Sequence, residues 1–136
     1  MRFSAKFLFG NKTGVIPMSK LLVVDDESDI RGGAQRFFGR RNYDVLATAS
    51  GKEALKIIEE QRPDLVLLDI RMEEMNGIEV LKQLRADGND IKVIMVTGAE
   101  EEEVINEANK YGVRGIMHKP LMLQELEKMV CAELKE

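Results

Sequence analysis

The chain has 136 residues, a length that favours one domain with a sizeable hydrophobic core. Hydrophobic residues make up 44% of it and charged residues 32%, a balance typical of a folded globular protein. The net charge is −4, but it is unevenly distributed. Residues 1–20 contain four of the 20 basic residues and no acidic residue, so the remainder contains 16 basic and 24 acidic residues, a net charge of −8. This acidic body disfavours direct binding to nucleic acid, and no apolar run approaches the ~20 residues that span a membrane.

The single cysteine, Cys131, excludes an intrachain disulfide, and the single histidine, His118, cannot build a histidine-rich metal site. We expect ordinary structural or surface roles for both. Residues 1–18 are basic, and their apolar run is too short for a convincing signal peptide. We interpret them as an N-terminal extension that is disordered or a start-site or expression artefact, with a membrane or partner anchor as the alternative. Residues 19–136 are predicted to form the domain.

From Lys20 onward, short apolar segments of the kind found in buried strands alternate with amphipathic helical patterns. The predicted strands cover residues 21–24, 43–47, 65–68, 91–96 and 113–118. Helices are predicted over residues 29–40, from Ser50 to Gln61, around residues 78–84, from Glu100 to Gly112, and from Pro120 to Leu134. Ser50 and Glu53 have capping-box spacing, and Pro63 disfavours the helical conformation in the residue before it.

Strands that alternate with single helices imply right-handed crossovers and a parallel sheet covered on both faces. Five strands and five helices therefore predict an α/β fold with an open, doubly wound sheet. In such a sheet, ligands bind beyond the carboxyl ends of the strands.

Polar residues stand at these strand ends. Asp25 and Asp26 follow the first strand, Asp69 the third, Thr97 the fourth and Lys119 the fifth. Three clustered carboxylates need a cation, or one must be protonated. Because histidine and thiolate ligands are lacking, Mg²⁺ or Mn²⁺ fits better than zinc. A carboxylate nucleophile beside such a metal, with an ammonium and a hydroxyl in reach, is suited to phosphoryl transfer.

The segments VVDDE, LVLLDIRMEEMNG, VIMVTG and HKP resemble those of the receiver domain of bacterial response regulators. The resemblance runs from about Lys20 to the C-terminus and implies a CheY-like, flavodoxin-like sheet with strand order 2-1-3-4-5. It implies that Asp69 is the phosphoacceptor, which takes a phosphoryl group from the histidine of a sensor kinase. It also implies that Asp25, Asp26, Asp69 and the backbone carbonyl of Arg71 hold Mg²⁺.

By the same resemblance, Thr97 is the switch hydroxyl, Lys119 pairs with the phosphoryl group, and the Lys119–Pro120 bond is cis, as about 5–6% of bonds before proline are. Arg71 and Ala99 lie two residues after Asp69 and Thr97, at positions that tune hydrolysis of the acyl phosphate in this family.

Two positions depart from the family pattern. Glu73 replaces a proline in the loop after the phosphoacceptor, which predicts a more mobile and more acidic loop. Ile116 replaces the usual switch aromatic, and an aliphatic side chain cannot swing a ring hydroxyl between buried and exposed states.

The leading hypothesis is a cytoplasmic signalling switch controlled by phosphorylation, with an output surface formed by the fourth helix, fifth strand and fifth helix. It is not expected to be an enzyme, apart from Mg²⁺-dependent self-phosphorylation and slow self-dephosphorylation. The expected partners are a sensor histidine kinase or phosphotransfer protein and a downstream protein target, with a phosphorylation-dependent homodimer as an option. The alternatives are a phosphorylation-independent interaction module and a metal-dependent phosphatase with an aspartyl nucleophile. The chain is interpreted as a stand-alone receiver or an excised one.

Overall fold

The computed structural model describes residues 19–98 and 102–135. Its strands are β1 (Lys20–Val24), β2 (Asp44–Thr48), β3 (Leu65–Asp69), β4 (Lys92–Thr97) and β5 (Gly115–His118). Its helices are α1 (Ser28–Gly39), α2 (Gly51–Gln61), α3 (Gly77–Ala86), α4 (Glu102–Lys110) and α5 (Leu123–Leu134). The strands pair in parallel in the order β2-β1-β3-β4-β5, which confirms the predicted fold and strand order.

The sheet is buried on both faces because its three central strands are apolar between their end residues, over residues 21–24, 65–68 and 93–96. Successive strand residues point to opposite faces. In β1, Leu22 and Val24 pack with α2, α3 and α4, whereas Leu21 and Val23 pack with α1 and α5. All four are at most 2% exposed. Burial of a side chain of this size contributes about 1.5–3 kcal/mol, so the two cores fix which residues reach the strand ends.

Capping residues set the helix boundaries. The Ser50 hydroxyl accepts a hydrogen bond from the amide of Glu53 at 3.2 Å, which confirms the predicted start of α2. That helix ends before Arg62, whose φ of 48° is left-handed. At the start of α3, Asn76 and Glu79 form a reciprocal capping box. This cap fixes the end of the loop that follows β3.

Several strand boundaries differ from the predictions by one or two residues. β2 begins at Asp44 rather than Tyr43, because the Tyr43 amide bonds to the Phe38 carbonyl at the end of α1 and its ring packs edge-to-face on Phe38. β5 begins at Gly115 rather than two residues earlier, since its pairing with β4 starts opposite Ile94.

Some expectations fall on residues 1–18 and 99–101, which lie outside the described part of the chain. The N-terminal extension, the role of Ala99 and the first two glutamates before α4 therefore stay predictions. Glu102 and Glu103 form the first turn of α4, as predicted. Within residues 19–98 and 102–135, no helix is long and apolar enough to cross a membrane.

Candidate functional site

The carboxyl ends of β1, β3 and β5 bring three of the predicted site residues into contact. The Lys119 Nζ lies 3.2 Å from Asp25 Oδ2 and 3.4 Å from Asp69 Oδ2. Asp25 and Asp69 are each only 2% exposed. Two buried carboxylates repel each other, and the ammonium between them offsets part of that cost.

Asp69 is the last residue of β3, the central strand of the sheet. Its burial, and after that the charge of Asp25, raises the pKa of Asp69 from 3.8 to about 6, against the opposing effects of Lys119 and of the Arg71 backbone hydrogen bond. A buried carboxyl group with a perturbed pKa at a ligand-binding edge is a candidate functional group.

Lys119 follows β5 directly. Its amide donates a hydrogen bond to the Thr97 carbonyl at 2.7 Å, which extends the pairing of β4 and β5 to the site. Burial alone would lower the pKa of Lys119, but its hydrogen bond with Glu27 and the charges of Asp25 and Asp69 outweigh burial and raise that pKa. The side chain is therefore an ammonium at neutral pH. The Lys119–Pro120 peptide bond is cis, as the resemblance implies.

Thr97 is the last residue of β4 and is completely buried. Its hydroxyl oxygen has no hydrogen-bond partner among the described residues. A buried hydroxyl without a partner costs about 1–3 kcal/mol. An anionic ligand bound at this edge would supply the acceptor that the hydroxyl lacks.

The loop between β1 and α1 carries three consecutive acids. Carboxylate oxygens of Asp25, Asp26 and Glu27 lie within 4.8 Å of one another. The loop is held by the Glu27 amide, which donates to Asp25 Oδ1, and by the Arg31 guanidinium, which donates to the Asp25 carbonyl, both at 2.9 Å. Clustered oxygen ligands of this kind fit Mg²⁺ or Mn²⁺. The ligand set implied by the resemblance, with Asp69 and the Arg71 carbonyl, stays a prediction.

The expected tuning residue Arg71 lies in the same loop as Glu73, whereas Ile116, at the expected switch position, lies in the sheet. Arg71 and Glu73 are exposed in the loop after β3. Ile116 is half-buried in β5, pairs with Met95 of β4 and packs against the core on the side of α2, α3 and α4. The position of the usual switch aromatic thus holds an aliphatic side chain that packs against the core.

Two features of the site were not assigned from the sequence. Glu27 Oε1 lies 2.8 Å from Lys119 Nζ, and its only sequence signal is its place after the acid pair. Gly77, the first residue of α3, lies so close to the end of β3 that a Cβ atom there would overlap the Asp69 carbonyl oxygen. In the sequence, an Asn-Gly pair such as Asn76-Gly77 is typical of a turn and does not predict this contact.

The doubly wound sheet makes this a flavodoxin-like protein, and its acids, lysine and threonine lie at the carboxyl edge, where sheets of this class bind ligands. The family model of the response regulator receiver domain matches residues 21–131, and the chain therefore belongs to that family. Receiver domains are phosphorylation-controlled signalling domains of two-component systems rather than classical enzymes.

Curated relatives support this assignment. The chain is 36% identical over 111 residues to the sporulation initiation phosphotransferase F of Bacillus subtilis, covering 82% of this chain and 90% of that protein. It is 38% identical over 116 residues to the alkaline phosphatase synthesis transcriptional regulatory protein PhoP of the same species, covering 85% of this chain and 48% of that protein. The similarity thus spans most of one relative and about half of the other.

Solved structures share the fold. A CheY-like response regulator receiver domain protein from Methanospirillum hungatei superposes with a TM-score of 0.82 at 26% identity, covering 89% of this chain and 95% of that chain. The receiver domain of the Francisella response regulator 1452 gives a TM-score of 0.80 at 30% identity, covering 86% and 97%.

Proposed function

We propose that this chain is a signalling switch in which Asp69 accepts a phosphoryl group from a sensor histidine kinase or a phosphorelay donor. The observation that carries the proposal is the contact between the buried Asp69 carboxyl group and the Lys119 ammonium. The end of β4 next to it adds the buried, unpaired hydroxyl of Thr97. A nucleophile, a cation and a hydrogen-bond donor at one sheet edge are what transfer to a carboxylate requires. The similarity to a protein named a phosphotransferase supports the same reading.

In the proposed step, a carboxylate oxygen of Asp69 attacks the phosphorus of a phosphohistidine. The new oxygen–phosphorus bond forms an acyl phosphate as the phosphorus–nitrogen bond breaks, and the leaving imidazole nitrogen keeps the electron pair. With a pKa of about 6, Asp69 is mostly ionised at neutral pH and can act as the nucleophile. The Lys119 ammonium pairs with one phosphoryl oxygen and the Thr97 hydroxyl donates a hydrogen bond to another, so both stabilise the transferring charge.

Receiver domains bind Mg²⁺ at an acidic pocket. In this chain Asp25, Asp26, Asp69 and the backbone carbonyl of Arg71 would hold the ion, and Mn²⁺ has the same ligand preference. When bound, the ion neutralises charge on the phosphoryl group. The acid cluster after β1 supports Asp25 and Asp26 as two of these ligands.

A phosphoryl group adds a charge of about −1.5 to −2 and three acceptor oxygens. We propose that its contact with Thr97 biases the loop after β4 and, through it, the surface formed by α4, β5 and α5. That surface would bind a downstream protein target, or a second phosphorylated copy of the chain, in the cytoplasm. Ile116 lies within it and would transmit the change by packing rather than by a ring rotation.

The test is to incubate the chain with acetyl phosphate and Mg²⁺ and to follow a hydroxylamine-sensitive mass increase. The wild type should take up one phosphoryl group and Asp69→Asn none, because an amide cannot form the acyl phosphate. Asp90→Asn, an exposed residue in the loop before β4, is the matched control and should label as the wild type does. Undiminished labelling of Asp69→Asn would show that the phosphoacceptor lies elsewhere.

A phosphorylation-independent interaction module is the second candidate, and the packed Ile116 side chain at the switch position favours it. In that case, the wild type would take up no phosphoryl group even at saturating acetyl phosphate and Mg²⁺.

A further inference from the structure

Glu27 occupies the N-cap position of α1 without capping the helix. Its backbone is extended, with φ of −87° and ψ of 117°, and its side chain makes no cap hydrogen bond to the described residues. Ser, Thr, Asp and Asn are the preferred residues at this position. Ser50 and Asn76 do accept such bonds at the starts of α2 and α3. The Glu27 carboxylate is therefore used for something other than the helix.

That carboxylate makes the shortest of the three ion pairs of Lys119. The Nζ atom lies 2.8 Å from Glu27, 3.2 Å from Asp25 and 3.4 Å from Asp69. The Glu27 backbone is fixed by its amide, which donates to Asp25 Oδ1 at 2.9 Å. The Glu27 side chain is 58% exposed, whereas that of Asp69 is 3% exposed. The Lys119 ammonium is thus shared between an exposed carboxylate, that of Glu27, and a buried one, that of Asp69.

We propose that Glu27 is a positioning residue that restrains Lys119 in the unphosphorylated chain and thereby slows phosphorylation of Asp69. The inference rests on the proposed function, since it is the phosphoryl group that Lys119 must reach. Before transfer, Glu27 competes with Asp69 for one ammonium. After transfer, the larger negative charge on the phosphorylated Asp69 attracts the Lys119 ammonium more strongly, and its ion pair with Glu27 breaks. A partly exposed ion pair of this kind changes an equilibrium by about two- to fivefold.

The test compares phosphorylation rates of Glu27→Gln and Glu27→Asn with that of the wild type over a range of acetyl phosphate concentrations with Mg²⁺. Both variants should raise the maximal rate constant by about two- to fivefold, with the half-saturating donor concentration unchanged. The control Asp29→Asn removes an equal charge from an exposed residue in the first turn of α1 and should not raise the rate. Because Asn is a preferred N-cap, Glu27→Asn should not lower the melting temperature.

A second measurement follows the side-chain NMR signals of Lys119 in the unphosphorylated chain. Glu27→Gln should shift them, and Asp29→Asn should leave them in place. If the wild type is labelled but the Glu27 variants react no faster than Asp29→Asn, the role of Glu27 is wrong and the proposed function stands. If the wild type is not labelled at all, the proposed function fails and this inference fails with it.

Discussion

Asp69 combines two properties that oppose each other, since a nucleophile must be ionised and burial disfavours the ionised form. Burial and the charge of Asp25 raise the pKa of Asp69 to about 6, from 3.8 for an exposed group. Between these two values the folded chain binds more protons at Asp69 than the unfolded chain does. The contribution of Asp69 to stability is therefore favourable below about pH 4 and is lost as the pH rises through about 6.

The variant Asp69→Asn keeps the shape of the side chain and removes this titration. Without Mg²⁺ and above pH 7, we expect the variant to be more stable than the wild type by about 1–3 kcal/mol. The difference should vanish below about pH 3, where Asp69 is protonated in both states. Urea unfolding at several pH values measures it, with Asp90→Asn as the control. A stability difference that does not change with pH would contradict the raised pKa.

Single residues differ in how well the sequence predicts them. Asp25, Asp69 and Lys119 each follow an apolar run, and a parallel sheet brings such positions to one edge, so their contact could be predicted. The pairing of Glu27 with Lys119 could not be predicted, because a glutamate before a helix is common as a solvent-exposed residue and its position in the sequence indicates no distant partner. The pKa of Asp69 depends on its depth of burial, which the sequence pattern does not give.

At the scale of elements, the start of α3 is built against the end of β3. The Gly77 amide donates to the Ile70 carbonyl at 2.8 Å, and the Asn76 capping box fixes the first turn. A Cβ atom on Gly77 would meet backbone atoms of Asp69 and Ile70, which cannot move aside as a flexible side chain can. The phosphoacceptor strand and this helix therefore share one tightly packed junction.

We expect Gly77→Ala to destabilise the chain by about 1–3 kcal/mol and to slow the phosphorylation of Asp69, because the junction must open. Gly33→Ala in α1 is the matched control, since no described atom lies within 4 Å of its added Cβ. It should stabilise the chain by about 0.5–1 kcal/mol through its helix propensity. Urea unfolding and the acetyl phosphate assay measure both effects, and equal stabilities for the two variants would refute the steric argument.

The alternation of strands and helices was predictable, because apolar runs and caps such as Ser50 are local signals. The boundaries of the elements were less predictable, since Tyr43 lies outside β2 and packs against Phe38 instead. Long-range polar contacts were not predictable at all. Arg85 of α3 donates hydrogen bonds to the carbonyls of Tyr111, at 2.7 Å, and Asn89, at 2.8 Å, and so joins the α3–β4 loop to the turn after α4.

At the scale of the whole molecule, the fold concentrates negative charge at one end of the sheet. The site acids there have one ammonium, that of Lys119, within ion-pair distance among the described residues. A cation that binds this edge in the folded state and not in the unfolded chain must stabilise the fold by linkage. The size of that stabilisation reports on the ligands and needs no phosphorylation.

We therefore expect Mg²⁺ to raise the free energy of unfolding at pH 7.5 by about 2.7 kcal/mol at a concentration 100 times its dissociation constant. Asp26→Asn should remove most of this gain, because the variant loses an exposed carboxylate of the acid cluster. Asp90→Asn should retain the gain. The effect should weaken below about pH 6, where a proton competes with the ion for Asp69. Urea unfolding with MgCl₂ or with NaCl at equal ionic strength separates ion binding from charge screening. An equal gain in Asp26→Asn would show that Asp26 is not a ligand of the ion.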